Sequence, residues 1–193
     1  MVGILFAVVI SIGLPILLFV YAWIQKKSSA FLLGVLAFIG SQILFRLLIL
    51  AYLESHSASY LMFNTLYPVV FAIVMGLSAG IVEELARFIM MSFFMKQGDW
   101  KLGFFFGAGH GGIEAVLLVG ISALIMLFTQ SDVDVFSQMD FVVGGIERFF
   151  AILLHIGLSI IVLQGVKQRK YFYLVIAIII HGFVDSLVGI LPL

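Results

Sequence analysis

An all-α, polytopic membrane bundle of about six transmembrane helices is the fold class this sequence predicts, and three observations predict it. Of 193 residues, 64% are hydrophobic and 10% are charged, and the mean hydropathy is +1.28. That composition leaves too little polar surface to coat a water-soluble domain, so the solvent must be lipid. The chain also divides into apolar runs long enough for a hydrocarbon core of about 30 Å, which takes roughly 20 residues at 1.5 Å rise. The polar breaks between runs are all short, so residues 1–193 read as a single transmembrane domain without internal repeat or low-complexity tract.

The first run, Val2–Ile24, has no Lys or Arg ahead of it and no small-residue cleavage site, and is expected to be a retained helix. Gln25, Lys26 and Lys27 separate it from a second span over 31–53. Glu54 to Tyr60 form the next break, and the third span covers 68–95. Lys96 to Lys101 precede the fourth span, 102–128; Thr129 to Asp140 precede the fifth, 141–165; Val166 to Lys170 precede the sixth, 171–193. Lys26, Lys27, Lys96, Lys101, Lys167, Arg169 and Lys170 all fall in the first, third and fifth breaks, whereas the second and fourth carry Glu54, Asp132, Asp134 and Asp140. The positive-inside rule therefore expects cytoplasmic basic loops and both termini outside.

Composition excludes several function classes. Cysteine is absent, which removes disulfides, thiol nucleophiles, Cys-ligated zinc and iron–sulfur clusters. A formal charge of zero and the lack of a basic arm argue against a nucleic-acid partner. Lipid is the partner that composition itself implies.

The informative residues are those that do not belong in lipid. A charge at the bilayer centre costs at least about 2.5 to 3.5 kcal/mol on insertion scales, so such groups face the bundle interior, pair, and often mark function. Arg46, Glu83, Glu84, Arg87, His110, Glu114, Glu147, Arg148, His155, His181 and Asp185 all lie within the expected spans. Glu83 and Arg87 stand four residues apart and Glu84 and Arg87 three, so the guanidinium can hold either carboxylate on a face shared with Gly76 and Gly80. His110 and Glu114 repeat the four-residue step beside a ridge of Gly103, Gly107 and Gly111, which lets another backbone come close. Arg148, His155 and Ser159 share a stripe, and His181 and Asp185 are again four apart. Counted from the cytoplasmic helix ends, Glu83, Glu84, His110, Glu114, His155 and His181 lie roughly 12 to 18 Å deep, with Glu147 and Arg148 at roughly 25 to 27 Å. Carboxylates at the depth of several imidazoles supply a general base together with oxyanion donors. Three histidines and a carboxylate equally suit zinc, leaving a position for water, so the residues alone leave metal dependence open. A purely structural polar network is the competing reading.

Some formal motifs lack their context. Gly76-Leu77-Ser78-Ala79-Gly80 matches G-x-S-x-G, but a nucleophile elbow needs a strand-to-helix turn, and this pentapeptide sits in an apolar helical run. H-E-x-x-H and Gly-x-Gly-Asp are absent.

Three motifs stand in a telling order: Glu83-Glu84-Leu85-Ala86-Arg87, Phe106-Gly107-Ala108-Gly109-His110 and His181-Gly182-Phe183-Val184-Asp185. They resemble the Glu-Glu-x-x-x-Arg, Phe-x-x-x-His and His-x-x-x-Asn/Asp motifs of the CAAX-prenyl-protease and bacteriocin-processing superfamily of intramembrane peptidases. Ser41-Gln42 with Arg46, His110-Gly111-Gly112 with Glu114, and Glu147-Arg148 with His155 look most like its bacterial YhfC branch. One departure is that two residues rather than three separate the Glu pair from Arg87, so which carboxylate the arginine holds is not fixed by the motif. The resemblance implies an endopeptidase of the bacterial plasma membrane acting on a membrane-embedded or membrane-proximal peptide. Glu83 would activate water, His110 would orient it, and Glu84 would sit near Arg87. His181 and Asp185 would support the oxyanion, with His155 joining either role, and Arg46, Arg87, Glu114, Glu147 and Arg148 in support. Metal-free glutamate catalysis is the expectation by analogy, with zinc on Glu83, His110, His155 and His181 as the alternative. A catalytically silent scaffold, like the related gamma-secretase subunit, and a small proton-coupled transporter are the rival functions.

The orientation is directly testable. A cysteine at position 27 should resist membrane-impermeant maleimide in intact cells while one at position 134 reacts, and the reverse pattern would invert the topology.

Overall fold

The computed structural model describes residues 1–95, 99–129 and 137–191. Lys96, Asp132, Asp134 and the expected end of the last span at Leu193 lie outside the described residues. The regular elements among the described residues are helices: α1 (Val2–Ile24), α2 (Ser28–His56), α3 (Ala58–Leu66), α4 (Pro68–Phe94), α5 (Trp100–Thr129), α6 (Gln138–Gln168) and α7 (Phe172–Ile190). Six of them, all but α3, are long and apolar enough to cross a membrane. The fold class is therefore the expected one.

Several span ends move by about three residues, with α2 starting at Ser28 and α6 running over Gln138–Gln168, and the largest change lies between α2 and α4. Sequence assigned no helix between Glu54 and the third span, yet α2 continues to His56 and α3 follows after one residue. Ser57 caps α3 by accepting the Tyr60 backbone N–H at 3.2 Å. A nine-residue helix is marginal on its own. Here Tyr60 and Phe63 lay their rings on Phe71 of α4, with centroids 5.3 and 5.7 Å apart. Pro68 then opens α4 in the first turn, where its missing N–H costs nothing. At the other end, α7 stops at Ile190, and Leu191 is already extended.

The helices group into two compact units. One comprises Met1–Leu36 and Gly98–Ile160, the other Ala37–Gln97 and Ile161–Leu193. In the first, Ile4 and Ala7 of α1 and Ala123 of α5 form a small core covered by Val8, Val119, Met126, Leu127 and Phe141. The expected glycine ridge on α5 is used against α6: a Cβ on Gly107 would lie 2.4 Å from the His155 carbonyl oxygen, and one on Gly111 would lie 3.0 Å from the His155 ring. Helices α1 and α5 each widen into a π turn, Val9–Gly13 and Val116–Gly120, and the two meet where a Cβ on Gly120 would stand 3.3 Å from Ser11.

In the second unit α4 lies against α7 with almost no side chain between them. A Cβ on Gly76 would meet the Ser186 nitrogen at 2.4 Å, and one on Gly80 the Gly182 nitrogen at 2.7 Å. Lipid gives apolar side chains no reason to associate, so close backbone approach through small residues is how membrane helices gain contact. This Gly-x-x-x-Gly contact is what G-x-S-x-G serves here, and it brings the next turn of α4, with Glu83 and Glu84, level with His181. Helix α2 enters this unit through a long π turn, Ile39–Arg46. Ser41 bonds back to the Ala37 and Phe38 carbonyls at 2.7 and 3.2 Å, and the widened turn presents Gln42 and Arg46 to α4.

Gly76→Ala should therefore lower stability by about 1 to 3 kcal/mol, because its methyl meets backbone that cannot rotate away. Gly157→Ala, with nothing within 4 Å of its Cβ, should be neutral or slightly stabilising. Thermal unfolding of the two variants in the same bicelles measures the difference.

Candidate active site

The second unit gathers six of the expected residues around one imidazole. Arg87 donates to Glu84 Oε1, and both side chains are fully buried. His181 Nδ1 lies 2.7 Å from the same Glu84 oxygen. Its other ring nitrogen, Nε2, lies 3.8 Å from Glu83 Oε2 and 3.5 Å from Asp185 Oδ2. Glu83 receives the Gln42 amide on Oε1 at 2.6 Å. Arg46 completes the group, donating to Gln42 Oε1 at 3.2 Å, to Ser78 Oγ at 3.0 Å and to the Met75 carbonyl at 2.7 Å.

The question left by the shortened Glu–Arg spacing is thereby answered. The three-residue step wins: Arg87 takes Glu84, and Glu83 is turned to Gln42 and His181. A carboxylate that already neutralises a buried guanidinium has its charge committed, since protonating it would strand the arginine. Glu84 suits orientation of His181. When Nδ1–H is given to Glu84, Nε2 presents its lone pair between Glu83 and Asp185. Asp185 is partly open, its side chain being 35% exposed, whereas Glu83, Glu84, Arg87 and His181 are buried.

The first unit holds the other five. Arg148 donates to both oxygens of Glu147 and, at 2.8 Å, to Glu114 Oε1. The second Glu114 oxygen lies 2.5 Å from His155 Nε2. His110 and His155 are neighbours, with ring centroids 4.8 Å apart, and Phe106 stacks on His110. His110 and His155 are both buried. Close packing of Gly107 and Gly111 against α6 is what brings the two imidazoles together.

Sequence reasoning left one residue of this machinery without a role. Gln42 was noticed only as a neighbour of Arg46, yet it makes the short bond to Glu83. The available signal was its amide in an apolar span one helical turn from a buried arginine.

The model of the family described as "YhfC intramembrane metalloprotease" matches residues 8–135 and 124–191. "Uncharacterized membrane protein YhfC" of Bacillus subtilis (strain 168) is 35% identical over 142 residues, 60% of this chain. The chain spans about 55% of the length of that relative. No solved structure matches significantly.

Breaking the Glu84–Arg87 pair is expected to be costly. Arg87→Met leaves the Glu84 charge buried and should lose about 3 to 5 kcal/mol, much of which the double variant with Glu84→Leu should recover. Unfolding of the single and double variants supplies the cycle.

Proposed function

Because the chain belongs to the YhfC intramembrane metalloprotease family, we propose that it is a multi-pass endopeptidase of the bacterial plasma membrane, hydrolysing a peptide bond of a membrane-embedded or membrane-proximal substrate. The observation that carries this reading is the buried set Glu83, His181, Glu84 and Arg87, in which one carboxylate is tied to arginine and the other is turned toward an imidazole. The orientation with both termini outside and basic loops in the cytoplasm is part of the proposal, supported by the placement of Lys and Arg in alternate breaks.

In this mechanism Glu83 takes a proton from water, the resulting hydroxide attacks the peptide carbonyl, and Glu83 returns the proton to the departing amine. On this route His181 acts as the imidazolium, giving Nδ1–H to Glu84 and Nε2–H to the carbonyl oxygen that gains charge, with Asp185 beside it. His110 and His155 are proposed as further catalytic residues by their depth in the sequence and their family motif. Glu114 holds His155, and Arg148 with Glu147 hold Glu114.

The family description names a metal, and the chain's residues fit one. His181 gives one ring nitrogen to a carboxylate and turns the other toward two carboxylates, which is how metal-ligating histidines are oriented. Each of Glu83, His155 and His181 is buried and offers one ligand atom. Zinc on the set that the sequence offers for it, Glu83, His110, His155 and His181, would supply a Lewis acid that brings the pKa of bound water to about 7. Of the two routes open from sequence, the His181 geometry favours the metal-assisted one over the metal-free one.

Glu83→Gln, assayed on a labelled membrane-peptide library in proteoliposomes, should lower cleavage by about 100-fold or more while leaving unfolding nearly unchanged, since Arg87 keeps Glu84. Loss of activity on chelation, restored by zinc, supports the metal route. Bound zinc measured in the same Glu83→Gln protein separates a base, which leaves it intact, from a ligand, which does not. Full activity in both Glu83→Gln and Glu84→Gln would sink the glutamate mechanism.

A further inference from the structure

The second unit contains a hydrogen-bonded chain running from α2 into Glu83, and its directions are dictated by chemistry. Arg46 has only donors. It gives Nε to Ser78 Oγ at 3.0 Å, Nη2 to the Met75 carbonyl at 2.7 Å and Nη1 to Gln42 Oε1 at 3.2 Å. Ser78 in turn donates to the Met75 carbonyl at 2.8 Å, so the guanidinium is seated on one turn of α4. A buried amide must satisfy both ends, and a guanidinium can face only the carbonyl end of Gln42. Its NH2 is therefore forced toward Glu83 Oε1, 2.6 Å away. The flipped amide would set NH2 against Arg46 and oxygen against carboxylate, losing both bonds.

We propose that Gln42, oriented by Arg46, is a positioning residue that selects which oxygen of Glu83 works: Oε1 is occupied by the amide and Oε2, on the His181 side, meets the water. The inference rests on Glu83 being the functional carboxylate. Gln42 and Arg46 stand four residues apart within the widened turn Ile39–Arg46, and both reach α4 from it. Gln42 is 4% exposed, so water has little access to replace the bond if the side chain is lost.

The test has two arms. In proteoliposomes, Gln42→Met should lower kcat about 10- to 100-fold with KM changed less than about threefold, the range for loss of a residue that orients a working group, and should lower Tm as well because buried Glu83 loses its amide donor. Gln42→Glu keeps an acceptor for Arg46 but offers Glu83 a second carboxylate, and should be no better than Gln42→Met. Arg46→Met, which frees the amide to turn, should lose activity, and Arg46→Lys should recover part of it. If Glu83→Gln is inactive while Gln42→Met matches wild type in kcat, the positioning role is wrong and the peptidase reading stands; if Glu83→Gln is active, that reading fails first. The second arm needs no cleavage. In glutamine-labelled protein, the Gln42 side-chain amide should give a downfield, slowly exchanging NMR proton that disappears in Glu83→Leu and broadens or moves in Arg46→Met. A Gln42 amide resonance that is insensitive to Glu83→Leu overturns the proposal whatever the activity.

Discussion

Lipid offers neither counter-charge nor hydrogen-bond partner, and each ionised group in these spans must therefore bring its partner with it. That constraint organises the polar interior. Arg87 is matched by Glu84, and Arg148 sits between Glu114 and Glu147. Arg46 is seated on a serine, a carbonyl and an amide. The pairs are costly to assemble and costlier to break, because truncating one partner strands the other in a medium that cannot solvate it.

The same solvent dictates how the helices meet. With no hydrophobic drive between apolar faces, α4 and α7 associate by backbone contact at Gly76, Gly80 and Gly182, and α5 meets α6 at Gly107 and Gly111. The glycines stand within a turn of the charged residues in each case. Glu83 and Glu84 follow Gly80 on α4, His181 precedes Gly182 on α7, and Gly111 lies against the His155 ring. Close approach is what lets side chains as short as a carboxylate and an imidazole touch across helices without long linkers.

Much of this was legible in the sequence, because lipid enforces simple rules. The length of each apolar run located the spans to within a few residues, and charge in a span identified the residues that needed partners. What escaped were features set by packing or local winding. Helix α3 is too short to signal by hydrophobic length, and it is held by its Ser57 cap and by rings on Phe71. The π turns at Val9–Gly13, Ile39–Arg46 and Val116–Gly120 have no compositional mark, so the role of Gln42 stayed hidden although the residue was noticed. The choice of Glu84 over Glu83 by Arg87 was likewise undetermined, since three- and four-residue steps are both within reach on a helix. The His181 side chain on another helix, bonded to Glu84, accompanies that choice, and no spacing rule on α4 contains it.

One device occurs in each unit. In the second, Arg87 clamps Glu84, which bonds His181 at Nδ1; in the first, Arg148 clamps Glu114, which bonds His155 at Nε2. An arginine-bound carboxylate is poorly placed to take a proton for itself, and well placed to fix which ring nitrogen of its histidine donates and which is left with a lone pair. The two imidazoles use opposite nitrogens, so the device is set by where each helix lies and not by a shared local motif. Glu83 differs from both clamped carboxylates in taking its short bond from a neutral amide. Arg46 stands behind that amide, bonded to a serine, a carbonyl and the amide, and Glu83 supplies it with a counter-charge.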